Sequence, residues 1–457
     1  MLPLSERRQR GKALRNKTRR EVNAEWSPKK GRSDPVATIL AANSDRLRHL
    51  LPIKMGRMAA GPFAFFRGAA PLMAADLAAL PVSGLRVQIC GDTHVRNLGA
   101  YAAPEGHLCG DTHVRNLGAY AAPEGHLVFD INDFDETIPG PLEWDLKRLA
   151  TSLVLAGREA GEGKNACRDS VEEMVRSYRT SMNRFAAMTV RDLARVEIRR
   201  GAKGTPVHVV LQKASRVTPS ETLKKLAVVG RRTGHRFHDR LPVLRHVDTR
   251  TRNEVLQSLG RYRKTVPISH QWALQAYEPV DVAFKIVGTG SVGTRDYVIL
   301  LFGNGVHDPL ILQVKEEMPS CYAPYLSSLP AVKHEGRRVA EGQQRMQTVA
   351  DPFLGYTTID GRHFLVRQLS DHKASINPAD LKGTALLEYA LVCGELLAKG
   401  HARTGDAAAI AGYCGNSAKL DNALAKFAKP YADQTESDYE QFKKAIAKGR
   451  VRAVPGK

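Results

Sequence analysis

The order of elements predicts an α+β protein, with a helical body and a separate antiparallel β lobe. Three observations lead there. Apolar positions recur at helical spacing from about residue 36 to 80 and again from Glu143 onward. A later block carries five β runs, DVAFKIV, DYVILLFG, LILQVKE, FLGYTTI and HFLVRQL, separated by Gly- and Asp-bearing turns. Helical patterning then returns in ALLEYALVCGELLAKGHAR and over roughly 419–448. At 457 residues the chain exceeds a single small core.

In chain order, residues 1–34 read as a basic flexible arm, with eleven Lys/Arg against three Asp/Glu in 5–33. Residues 35–190 read as a helical catalytic lobe with acid-rich loops. Its helices lead into the short β run LRVQIC, a second β run LVFDIND, and two helices beginning near Glu143 and Ala166. Residues 191–270 read as a basic helical connector and 271–372 as a β-rich lobe. Residues 373–457 form a helical segment expected to pack on the catalytic lobe.

The formal net charge of +21 favours anionic partners: nucleotides, phosphorylated metabolites or nucleic acid. No apolar run is long enough for a membrane span, and the N-terminus lacks the apolar segment of a secretory signal. Six cysteines without metal-ligand spacing fit reduced thiols, so a soluble cytoplasmic protein is expected.

Residues 90–108 and 109–127 are the same 19-residue sequence, CGDTHVRNLGAYAAPEGHL. Identity without drift points to an in-frame duplication and not to a repeat architecture. Copy one (Asp92, His94, Asn97) keeps the β run in front of it. Copy two (Asp111, His113, Asn116) keeps the shorter spacing to Asp133, 17 residues from Asn116 against 36 from Asn97. An insertion at a hairpin tip costs less than one between a core strand and its loop, which favours copy one.

Asp and Asn five residues apart on a tight loop can face one cavity, and the later run ends in Asp130, Asp133 and Asp135. Amide and carboxylate oxygens suit Mg²⁺. A carboxylate that binds no metal can take a proton from an attacking hydroxyl.

GDTHVRN…VFDINDFDETIPGPLEWDLKRLA resembles the catalytic segment of the aminoglycoside-phosphotransferase branch of the protein-kinase-like superfamily. The Asp-to-Asn step of five and the step of twelve from Asp133 to Asp145 both match, although Cys stands where that branch begins with His. The resemblance implies a proton-accepting Asp92 or Asp111 and a Mg²⁺-binding Asn97 or Asn116. It makes Asp133 the main Mg²⁺ ligand, supported by Asp130, and gives Asp145 a structural role tying a helix start to the catalytic loop.

Gly288-Thr-Gly290-Ser291-Val-Gly293 lies between two β runs, not before a helix. That context is the kinase-type phosphate-covering hairpin and not a dinucleotide fingerprint. Lys315, on the next β run, looks like the kinase lysine that pairs with nucleotide phosphates. Glu341, in the helical stretch HEGRRVAEGQQRMQ, is its expected ion-pair partner, with Glu335 as the alternative. The glycine loop follows the catalytic loop, so the sequence resembles a circularly permuted kinase-like fold. From RMAAGPFAFFRGAA through GSVGTR and LQVKE to KGHARTGD it also resembles a bacterial family, domain of unknown function 2252.

The expected activity is transfer of a phosphoryl group from ATP, with Mg²⁺, to an unknown small-molecule or protein acceptor. The alternatives are a basic nucleic-acid-binding protein or a catalytically inactive nucleotide sensor. A metallophosphoesterase reading is disfavoured, because FGNGVHD is a poor substitute for the Gly-Asn-His ligand motif of those enzymes.

Overall fold

The computed structural model describes residues 2–102, 127–197, 204–214, 219–230, 234–286, 288, 290–369 and 374–454. Copy two of the duplicated stretch, with Asp111 and Asn116, lies outside the described residues.

The helical body is built on four long helices, Leu142–Glu159, Lys164–Ala187, Thr384–Thr404 and Lys419–Ala447. Thr384–Thr404 runs along Lys164–Ala187. A Cβ at Gly394 would lie 2.1 Å from the Met174 carbonyl oxygen, so the absence of a side chain sets that close approach. Leu146, Leu149, Leu153, Tyr178, Met182, Leu396 and Leu397 share one buried cluster that also takes in the small strands of this body.

Those strands are β1 (Arg86–Ile89), β2 (Leu98–Ala102), β3 (Leu127–Ile131) and β4 (Ile138–Pro141). β1 pairs with β4 and β2 with β3, both antiparallel. The catalytic-type loop links β1 to β2, and the acid-rich loop links β3 to β4. β5 (Ala227–Gly230) and β6 (Gly234–Phe237) form a hairpin.

The second lobe is a six-stranded antiparallel sheet. In chain order its strands are β7 (Leu244–His246), β8 (Glu278–Lys285), β9 (Asp296–Phe302), β10 (Pro309–Glu316), β11 (Gly355–Ile359) and β12 (Arg362–Gln368). Their order across the sheet is β11-β12-β10-β9-β8-β7. β9 and β10 are central, and their β-branched and Leu-rich runs are buried on both faces. β13 (Ala374–Ser375) returns to pair with β2. The helix Glu335–Met346 joins the two parts: Gly336 abuts the Phe364 backbone of β12, and Gly342 abuts Thr137 beside the acid-rich loop.

Two expectations need correction. Residues 1–34 do not form a free arm. Leu4–Lys17 is a helix docked on Ala407–Cys414, with Gly11 and Gly412 allowing backbone contact. Some of its basic residues, and Arg20 just beyond it, are used internally. Arg7 pairs with Asp406, Arg15 donates to the Tyr413 carbonyl, and Arg20 donates to the Cys414 carbonyl, which serves the orphan acceptors of a helix end. Farther along, Arg32 bridges Asp76 and Asp438.

Residues 191–270 hold the helices Pro206–Ala214, Pro219–Leu226 and Thr249–Arg263, but they are not helical throughout. They contain β5, β6 and β7, and the helix Thr249–Arg263 buries Val255, Leu259 and Tyr262 against the sheet. Basic charge on the outer face of that helix hid its apolar face.

Candidate functional site

β1 runs directly into copy one of the duplicated stretch. Asp145, in the first turn of Leu142–Glu159, accepts hydrogen bonds from the Cys90 N–H (2.7 Å), the Gly91 N–H (2.9 Å) and the Thr93 hydroxyl (2.6 Å). His401 Nε2 lies 3.3 Å from the same carboxylate, and the Tyr178 hydroxyl meets His401 Nδ1 at 2.9 Å. Asp145 and His401 are wholly buried. With both oxygens saturated, Asp145 shapes the loop and is not open to a ligand. Gly91 has φ 83°, and a Cβ there would meet the Glu136 carbonyl at 2.6 Å, so the turn requires glycine.

Asp92 projects beyond this anchor and is gripped by the buried Arg148 guanidinium, with Nε at 2.8 Å. Asn97 donates to the Asp92 carbonyl at 2.8 Å, and the Asn97 carbonyl accepts from the Asn132 N–H at 3.0 Å. The catalytic-type loop and the acid-rich loop therefore abut at Asn97 and Asn132.

Within the acid-rich loop the three aspartates have separate fates. Asp130 is buried and ion-paired with buried Lys399, and its other oxygen accepts from the Ile131 N–H. Both of its oxygens are thus engaged within the chain. Asp133 sits beside Asp135. Asp135 takes both oxygens to the Lys315 ammonium and also accepts from the Ser291 hydroxyl at 3.2 Å. Burial opposes charge on Asp135, but Lys315 outweighs it and holds the carboxyl below its ordinary range. Burial likewise disfavours the Lys315 charge, and Asp135, Glu317 and Asp133 together raise its pKa. Lys315 on β10, Ser291 on the glycine turn and the acid-rich loop thus meet across 156–180 residues of sequence.

Glu341 does not meet Lys315. It pairs with Arg337 and Arg345 one turn away on either side, along the outer face of its helix. Glu335 pairs with Arg338. The inward stripe carries Arg338 and Gly342 instead. Arg338 donates to the carbonyls of Thr137 (2.6 Å), Asp135 (2.9 Å) and Met318 (2.8 Å), clamping the acid-rich loop in shape. The acidic partners of Lys315 are Asp135 and, at 3.8 Å, Glu317.

The glycine turn sits between β8 and β9. Gly293 has φ 96°, and the Arg46 side chain lies 3.0 Å from where its Cβ would be. The Ser291 N–H bonds the Gly288 carbonyl at 3.1 Å, closing the turn. Gly290 is held through its carbonyl by Lys54.

Sequence reasoning named Asp135 among the three acids without giving it a role, and missed Arg148, Arg338 and Lys54. Arg148 was open to detection, since it lies three residues after Asp145 and hence on the same helix face. Lys54 carried no signal, because nothing nearby in sequence links it to the glycine turn.

Among the described residues no group of three or more His, Cys, Asp or Glu forms a ready metal cluster. Several buried polar atoms near the cleft have no hydrogen-bond partner: Arg46 Nε, His94 Nδ1, Asn132 Nδ2 and Glu317 Oε1. Such atoms are rare in folded proteins, and their gathering suits a polar, charged ligand. Among the described residues no helix is long and apolar enough to cross a membrane.

Residues 46–108 and 107–445 match a family described as an uncharacterized protein conserved in bacteria, domain of unknown function 2252. The break between the two matched stretches falls at the junction of the duplicated copies, with one copy in each stretch. No curated protein and no solved structure matches the chain. Because the match runs through most of its length, the chain belongs to this bacterial family of domain of unknown function 2252.

Proposed function

We propose that this protein is an ATP- and Mg²⁺-dependent phosphotransferase on a circularly permuted, protein-kinase-like fold. The observation that carries the reading is the contact of Lys315 with Asp135, with Ser291 on the same carboxylate. It brings a glycine hairpin, a strand lysine and an acid-rich loop to one cleft, which is the set of parts phosphoryl transfer needs.

The permutation has its own support. The C-terminal end of Thr384–Thr404 abuts β1, where the Gln88 N–H donates to the Thr404 hydroxyl at 3.1 Å and Gly405 packs on Val87. His401 near that end reaches Asp145. Joined directly to β1, this helix would restore the order helix, catalytic loop, acid-rich loop.

The residues present fit the nucleotide and its metal. Asn97 and Asp133 would hold Mg²⁺, while Asp130 is committed to Lys399. The glycine turn and Lys315 would face the phosphates. ATP supplies the transferred group when bound. Asp92, oriented by Arg148, takes the proton of the acceptor hydroxyl. The protein's contribution is positioning and charge complementarity. Arg7, Arg15 and Arg20 are engaged within the chain, which removes part of the basic charge that motivates the nucleic-acid alternative.

Isothermal titration of the full chain with ATP, with and without Mg²⁺, tests the reading, alongside a variant lacking residues 109–127. Saturable, Mg²⁺-dependent binding that Asp133→Asn weakens is expected. No binding by either protein at millimolar nucleotide would overturn it.

A further inference from the structure

Residues 46–54 lie against the glycine turn and hold it at three points. Lys54 Nζ, on the helix Leu51–Met58, donates to the Gly290 carbonyl at 2.7 Å. Arg46 Nη1 donates to the Val292 carbonyl at 2.8 Å. The Leu47 N–H donates to the Gly293 carbonyl at 2.7 Å.

The chemistry of the two side chains is unusual. Lys54 is 2% exposed, and neither it nor Arg46 ion-pairs with a carboxylate among the described residues. Arg46 Nε is buried with no partner at all. An ammonium taken out of water without a counter-charge costs several kcal/mol. Burial and then the nearby Arg46 both push the Lys54 pKa well down, so the pair is mutually repulsive as it stands. Asp92, Asp135 and Glu136 act on Lys54 only through space. Lys315, meanwhile, is already neutralised by Asp135. A lysine kept only to fasten the segment would need one carbonyl and no second cation beside it. Two basic side chains without a direct ion pair, both fastened to a glycine turn by its carbonyls alone, suit a multiply charged anion.

We infer that Lys54 and Arg46 form a second phosphate-binding wall beside the glycine turn, where the oxygens of a polyphosphate chain would replace the Gly290 and Val292 carbonyls as their partners. The identification of that chain as a nucleotide's rests on the function proposed above; the anion site itself does not.

The test is isothermal titration of the full chain with inorganic tripolyphosphate, Mg-ATP and adenosine, for wild type, Lys54→Met and Arg46→Gln. Each variant is expected to bind tripolyphosphate and Mg-ATP at least about tenfold more weakly, since a charge-assisted contact is lost. Adenosine binding should change little. The ligand-free Lys54→Met protein should melt no lower than wild type, because an uncompensated buried charge is gone; should it fail to fold, Arg46→Gln carries the test. Unchanged Mg-ATP affinity in both variants would overturn the wall and leave the phosphotransferase reading intact. Tripolyphosphate binding lost in the variants, with no ATP binding in wild type, would support the wall and remove the nucleotide. Binding of neither anion by wild type would remove both.

Discussion

Replacing Lys399 by Met isolates an ion pair that ties the helix Thr384–Thr404 to β3, just before the acid-rich loop. Lys399 is 1% exposed and Asp130 3%, and the pair joins Thr384–Thr404 to β3. In Lys399→Met the Asp130 carboxylate stays buried with a single donor, the Ile131 N–H at 2.8 Å. Stranding a buried charge in this way costs about 3–5 kcal/mol. The double variant Lys399→Met with Asp130→Asn removes the stranded charge, while the Asn oxygen can still accept from Ile131. It should recover most of the loss, to within about 1–2 kcal/mol of wild type, so that about 2–3 kcal/mol is regained. Thermal unfolding at neutral pH reads this as a fall of roughly 3–5 °C for the single variant and a partial return for the double. A single variant within about 1 kcal/mol of wild type, or a double variant as unstable as the sum of the singles, would refute the reasoning. The same proteins decide the role of Asp130. If Asp130→Asn abolished Mg²⁺-dependent nucleotide binding while Lys399→Met preserved it, Asp130 would belong to the metal site after all.

Asp145→Asn places an amide group among the donors of Cys90, Gly91 and Thr93, and should cost about 3 kcal/mol or more by urea unfolding; a loss below about 1 kcal/mol would contradict its anchoring role. Asp296 on β9 is pushed up to about 7 by burial, against the pull of Lys285 and Lys315. A carboxyl raised above its unfolded value stays protonated while the unfolded chain ionises, so stability should fall as pH rises from about 4 to 7. Asp296→Asn should flatten that part of the profile and stabilise the protein at pH above 7, by up to about 4 kcal/mol; an unchanged profile would exclude the shift. Deleting residues 109–127 shortens the connection between β2 and β3 from 24 residues to five, a normal hairpin length, and should raise stability by about 1–1.5 kcal/mol in the same unfolding assay. A destabilised deletion would mean that the second copy has a structural role.

Much of the local architecture could be read from the chain alone. The Leu- and β-branched-rich runs around 296–302 and 309–316 form adjacent strands, because such runs suit a sheet buried on both faces, and Lys315 duly rides on the second. The helix expected near Glu143 begins at Leu142, which puts Asp145 in its first turn, where a carboxylate can reach the N–H groups of a neighbouring loop. These features follow from periodicity and turn chemistry, which act over a few residues.

The choice of partners needed the folded molecule. Asp133 and Asp135 are near-equivalent in sequence, yet Asp135 meets Lys315, because Arg338 clamps the loop by its carbonyls. Glu341 has the spacing of a lysine partner, but the packing of Gly342 against Thr137 turns it to solvent. The basic N-terminus reads as a free arm, although its arginines satisfy helix ends and buried aspartates that lie up to about 400 residues away. Pairings over such distances are selected by desolvation and shape at contact, and a one-dimensional pattern carries neither.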